Sequence, residues 1–164
     1  MSLLEDLYLI HMLPAWDENL TRRETAWPKV ALLDTGIAAR LNNVAPEALA
    51  PDRMSVHAGG LFETFVAGEL RRALGWANCS ASLFHFRTRD GIEVDIVIEG
   101  DNRNVAGVEV KASSTVRATD FKGLNFLRAR LGDRFTHGVV LYTGDKALPF
   151  GDRLTALPIQ ALWT

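Results

Sequence analysis

From Val56 onward the sequence predicts an α/β domain whose elements run helix, strand, strand, strand, helix, strand. Three observations predict it. Phe62, Phe65, Val66, Leu70 and Ala73 fall at helical spacing within residues 56–74. Residues 92–98 and 108–111 alternate apolar and charged side chains around Gly100-Asp101-Asn102-Arg103-Asn104, the pattern of a β-hairpin with its turn. Thr136 to Tyr142 is a largely apolar run after a second amphipathic helix, which suits a buried central strand.

Before that core, Leu3, Leu4, Leu7 and Ile10 have helical spacing, and Pro14 ends the run. Asp17 to Lys29 is polar, holds Arg22-Arg23, and reads as a linker or extended arm. Lys29 to Leu33 predicts a short strand, and Asp34 or Thr35 caps a short helix through Leu41. Pro46 and Pro51 mark Asn42 to Met54 as a loop. Residues 1–45 are expected to form an N-terminal arm with a short strand, and residues 46–164 the main domain.

Within the main domain Gly75 is expected to end the long helix. Ser82 to Thr88 predicts a strand, with His85 as a hydrogen-bonded core residue. Thr119 or Asp120 caps a helix with Phe121, Leu124, Leu127 and Leu131 on one face, stopped by Gly132. Leu148 to Trp163 is broken into short strand-like pieces by Pro149, Gly151 and Pro158.

The hairpin carries the chemistry. Closing it around Asn102 sets Glu99 opposite Val105, Asp95 opposite Glu109 and Glu93 opposite Lys111. Asp95, Glu109 and Lys111 then share one face, while Ile92, Val94, Ile96, Val108 and Val110 share the other. Directly opposed carboxylates repel unless a cation lies between them, and a hard divalent ion, Mg²⁺ or Mn²⁺, suits oxygen donors. A solvated strand face with Glu and Lys pairing across the hairpin fits the same spacing. On the long helix, 100° steps put Glu69 near the middle of the apolar stripe and Glu63 at its border. A glutamate on a packing face needs a partner: either Arg87 in the interior, or a place supporting the metal site.

Asp95, a hairpin loop and Glu109-Val110-Lys111 resemble the Asp…Glu-x-Lys signature of the PD-(D/E)XK nuclease-like superfamily. The phrases Pro28 to Gly36, Gly60-Leu61-Phe62-Glu63-Thr64-Phe65-Val66, Glu93-Val94-Asp95 and Glu109-Val110-Lys111-Ala112-Ser113 resemble one uncharacterised family. It is the domain found C-terminal to AAA+-type ATPase modules in archaeal and bacterial proteins. The resemblance implies a restriction-endonuclease-like core with a mixed central sheet. It implies Asp95, Glu109 and the Val110 carbonyl as metal ligands, Lys111 and Glu63 as catalytic residues, and Glu69, Arg87 and Glu93 in support. It also implies that the arm, residues 1–45, is the remnant of an upstream module, and that the chain is the C-terminal part of a longer protein, with DNA and the upstream ATPase module as partners.

The chain has 164 residues, 48% of them hydrophobic, enough for one domain with an ordinary core. No apolar run approaches a membrane span and no secretory signal is visible. Cys79 is the single cysteine, so disulfides and Cys-based metal sites are excluded within the chain, and a cytoplasmic location is expected. No P-loop motif occurs, so no ATP site of that kind is expected here. The net charge of −2 argues against a strongly basic nucleic-acid binder, although residues 71–134 hold eleven Arg and Lys against eight Asp and Glu. Three functions stay open: a Mg²⁺-dependent deoxyribonuclease; a catalytically inactive DNA- or protein-binding regulatory module of the ATPase; and a structural β-rich domain whose carboxylates pair with Arg87, Arg89 and Lys111.

Overall fold

The computed structural model describes residues 3–49 and 56–163; of the expected loop, residues 50–54 lie outside these. The chain forms α1 (Leu3–Asp6), β1 (Ile10–Leu13), α2 (Leu20–Thr25), β2 (Lys29–Leu32), α3 (Thr35–Leu41) and the long α4 (Val56–Trp76). Then follow β3 (Ala81–Arg87), β4 (Glu93–Gly100), β5 (Val105–Lys111), α5 (Lys122–Leu131), β6 (Phe135–Tyr142), β7 (Leu148–Pro149) and β8 (Leu154–Pro158).

The molecule is mixed α/β. Six strands form one mixed sheet in the order β3-β4-β5-β6-β8-β7, and β1 and β2 form a separate antiparallel ribbon. The β3–β4 and β4–β5 pairs are antiparallel, whereas β5–β6 and β6–β8 are parallel. This is the helix-strand-strand-strand-helix-strand order read from the sequence, with β6 central and paired on both edges.

Each sheet face is closed by one helix. Val66 and Ala67 of α4 pack with Ile96, Val108, Val110 and Leu141. On the opposite face Leu124, Leu127 and Leu131 of α5 pack with Val94, Val97, Val105 and Val140. Apolar residues on alternate positions of β5 thus feed two cores, the arrangement expected when helices cover both faces of a sheet. Asp34 caps α3 as expected, its Oδ1 accepting from the Ile37 N–H at 2.9 Å.

Three local expectations change. The helical spacing from Leu3 holds for one turn only, because Ile10–Leu13 pairs with Lys29–Leu32 and is extended. The polar segment after Asp17 is not a bare linker. Asn19 caps α2 through the Thr21 N–H. The Arg23 guanidinium then lies over Trp16 and Phe84 and donates to Glu99 Oε2 at 2.5 Å, beside the Trp16 Nε1 donor to the same oxygen. Finally, Gly75 lies inside α4 and does not terminate it.

These contacts fasten the N-terminal residues to the main sheet. Segment 14–16 runs beside β3, with His85 N–H donating to the Pro14 carbonyl and Trp16 N–H donating to the His85 carbonyl. The edge strand β3 is thereby covered. His85 is the core residue expected, its Nε2 3.1 Å from the Trp27 carbonyl oxygen. Glu99→Ala leaves the Arg23 charge and the Trp16 N–H without their shared acceptor. It is expected to cost about 3 kcal/mol, read as a lower urea midpoint at unchanged m-value.

Candidate metal centre at the splayed end of two strands

From Ile96 to Glu99 the hairpin register is the one the sequence predicts: Glu99 pairs with Val105 and Ile96 with Val108. Beyond Ile96 the strand departs from regular pairing. Phe84 faces Val97 and Phe86 faces Val94, so one residue of β3, His85, stands against two of β4. The extra residue is a bulge at Asp95-Ile96, and bulges re-aim side chains. Val94 and Val97 consequently share the α5 face, while Ile96 joins the α4 face. This corrects the expectation that Ile92, Val94, Ile96, Val108 and Val110 share one face: the bulge reverses the alternation within β4. Glu93 likewise faces Arg87 of β3, and the β4–β5 ladder does not extend to a Glu93–Lys111 pair.

The bulge puts Asp95 in the seam between β4 and β5. Its Oδ2 accepts the Val110 N–H at 2.9 Å, where the side chain substitutes for a ladder bond. Glu109 reaches the same point and shares a hydrogen bond with Asp95. Both carboxylates are buried, each residue 6% exposed. Burial first, then the Asp95 charge, push the Glu109 carboxyl up to about 9, against the opposing pull of Lys111. At neutral pH this pair therefore holds a proton between two acids. Lys111 Nζ lies 3.7 Å from Glu109 Oε2 at the exposed rim.

Gly123, in the first turn of α5, explains how a helix closes so tightly over this seam. A Cβ there would overlap the Glu93 carbonyl oxygen and come within 2.9 Å of Glu109 Oε1. Gly123→Ala is expected to destabilise the fold by about 2 kcal/mol through overpacking and to weaken any ion held by Glu109. Thermal melting with and without Mn²⁺ measures both effects.

On the α4 side of Asp95 lies a polar cavity of about 250 Å³, lined by His11, Lys29, Gly60, Glu63, Thr64 and Asp95 among others. Lys29 Nζ stands 3.5 Å from Glu63 Oε2 and 3.7 Å from Asp95 Oδ1. Burial first, then Asp95, raise the Glu63 carboxyl, and Lys29 pulls it back down. His11 is buried and neither ring nitrogen has a partner among the described residues. Burial and Arg71 lower its basicity.

Of the residues singled out from the sequence, the structure joins Asp95, Glu109, Val110 and Lys111, and sets Glu63 beside Asp95 through Lys29. Glu69 is not brought to this place. It pairs with Arg72 one turn on and accepts from Trp163 Nε1 at 3.0 Å, so neither an Arg87 partner nor a supporting role is present. Arg72 beside it lowers the Glu69 carboxyl. Arg87 and Glu93 are exposed and face each other at 3.8 Å, a contact worth little by itself, although the Glu93 charge still reaches Glu109. Lys29 and Gly123 escaped the sequence reading. Lys29 heads an apolar run read only as a strand, and a lysine there was the available signal.

The donor chemistry fits a hard cation. Two buried carboxylates share one proton, and an ion can take that proton's place with oxygen donors only. No group of three or more His, Cys, Asp and Glu side chains converges among the described residues. The two buried carboxylates leave the other positions of such an ion to further oxygen donors and water, as Mg²⁺ favours. No helix among the described residues is long and apolar enough to cross a membrane.

Residues 58–162 match the model of a family described as "Domain of unknown function (DUF4143)", and residues 1–48 match that described as "Domain of unknown function (DUF8612)". Two curated relatives, uncharacterized proteins of Mycobacterium bovis and Mycobacterium tuberculosis, are each 27% identical over 165 residues. All of this chain is covered, but it spans only 35% of each relative's length. No solved structure matches.

Proposed function

The chain belongs to the DUF4143 family, and from that premise we propose that it is a metal-dependent phosphodiesterase domain acting on DNA within a longer, cytoplasmic AAA+-type ATP-binding protein. The observation that carries the reading is the buried Asp95–Glu109 pair, with Lys111 two residues further along the same strand. The mixed sheet with α4 and α5 on its two faces supports the resemblance to restriction-endonuclease-like domains.

Asp95, Glu109 and the Val110 carbonyl would hold Mg²⁺ or Mn²⁺. Such an ion supplies a water acidic enough to attack a phosphodiester and offsets charge on the phosphate. The protein's own groups do the rest. The Val110 N–H fixes the Asp95 carboxylate in the seam. Lys111, held at the rim by Glu109, directs its ammonium to the attacking water and to the phosphate oxygens. Glu63 accepts a proton from the cavity side, its raised basicity bringing it closer to the working range.

Cleavage of linear, single-stranded and four-way-junction DNA with Mn²⁺ tests the reading. Wild type is expected to cut at least one of them, and Lys111→Ala to lose about two orders of magnitude in rate. Equal cutting by both proteins, or none by either, counts against it.

A second reading, a catalytically silent regulatory module of the ATPase, is favoured by one observation. Leu3, Leu4, Leu7 and Tyr8 are exposed together at the N-terminal end, an apolar surface suited to protein contact. It predicts capture of the upstream ATPase segment by wild type and its loss in Leu4→Asp/Leu7→Asp.

A further inference from the structure

Asp95 has two sides. Oδ2 is turned to the Val110 N–H, in the seam with Glu109, while Oδ1 faces the cavity that Glu63 lines. A carboxylate placed between two other acids is the arrangement that bridges a pair of divalent ions about 4 Å apart in many phosphoryl-transfer sites. Here the cavity side already has a cation. The Lys29 ammonium stands between Glu63 and Asp95, at 3.5 and 3.7 Å.

Neither distance is that of a tight charge-assisted hydrogen bond, so Lys29 is not locked onto one acid. Its side chain is 37% exposed, whereas that of Asp95 is 7% exposed. The lysine thus stands at the mouth of the cavity, between solvent and the buried acid.

We propose that Lys29 is a built-in second cation: the site takes a single divalent ion on its Glu109 side, and the lysine fills the Glu63 side and meets the phosphate there. This deepens the metal reading above and rests on it. A lysine suits the place because its charge is compact and carries three donors. It also needs no loading from solution. Because Lys29 belongs to the β1–β2 ribbon, the N-terminal residues become part of the reactive site and more than a tether.

Calorimetric titration with MnCl₂ separates the outcomes. Wild type is expected to bind one ion. Lys29→Ala frees Glu63 and the Asp95 outer oxygen and is expected to bind two, and Lys29→Ala/Glu63→Gln to return to one. Glu63→Gln alone should bind one with affinity within about twofold of wild type. Two ions in wild type, one in Lys29→Ala, or loss of the ion in Glu63→Gln each overturn the proposal. No ion in wild type overturns the metal reading itself, and this inference with it. Lys29→Gln, closer in shape, repeats the test if the alanine variant does not fold.

Discussion

Asp95→Asn is expected to abolish Mn²⁺-dependent cleavage, by about three orders of magnitude or more, while making the protein more stable at pH 8. The two effects have one origin. Asp95 and Glu109 are buried acids in hydrogen-bond contact, a pairing that a fold tolerates only with a proton or a cation between them. Asparagine keeps an acceptor for the Val110 N–H and removes the second charge beside Glu109. Relief of that conflict is expected to add about 1 to 3 kcal/mol without metal, and the ion loses a ligand. Function taken from strain is a recurring trade at reactive sites. Urea unfolding at pH 8 in EDTA, beside the cleavage assay, measures both. Equal loss of stability and activity would mean that Asp95 is simply structural.

The second large effect is on stability against pH. Glu109 titrates near its ordinary 4.5 in the unfolded chain but is pushed up to about 9 in the fold. Between those values the native state holds a proton that the unfolded state has released. The contribution of Glu109 is therefore complete below about pH 4.5 and falls as pH rises toward about 9, by up to ~1.4 kcal/mol per unit. Glu63, also raised by burial, adds to the same slope. His11 and His85 work in the opposite sense: burial lowers both, so their contribution is lost as pH falls through and below about 6.5. The Glu109 effect is thus read above pH 7, in metal-free buffer, as a falling urea midpoint. Glu109→Gln, which cannot ionise, is expected to flatten most of it. A wild-type midpoint unchanged between pH 7 and 9 would contradict the shared proton.

The parts of the site that were legible in the sequence are those set by local periodicity. Alternation in residues 92–98 and 108–111, with turn formers between, was enough to pair Glu99 with Val105 and to bring Asp95 toward Glu109. The Asp34 cap and the central strand after α5 followed from equally local signals. What was not legible depends on contacts distant in sequence. The bulge at Asp95-Ile96 exists because β3, and the segment 14–16 behind it, grip β4 in a register that no single strand encodes. Glu69 lies on a packing face by helical geometry, yet Arg72 and Trp163 satisfy it far from the carboxylate pair. Lys29 reaches Asp95 only because the β1–β2 ribbon docks beside α4.

Asp95 and Glu109 are expected to exchange a shared proton for a divalent ion. Titration of wild type with MnCl₂ at pH 7, repeated in buffers of different ionisation enthalpy, tests it most directly. One ion bound with release of about one proton, and neither event in Asp95→Asn, is the expected result. Binding without proton release, or the same binding by Asp95→Asn, would contradict it.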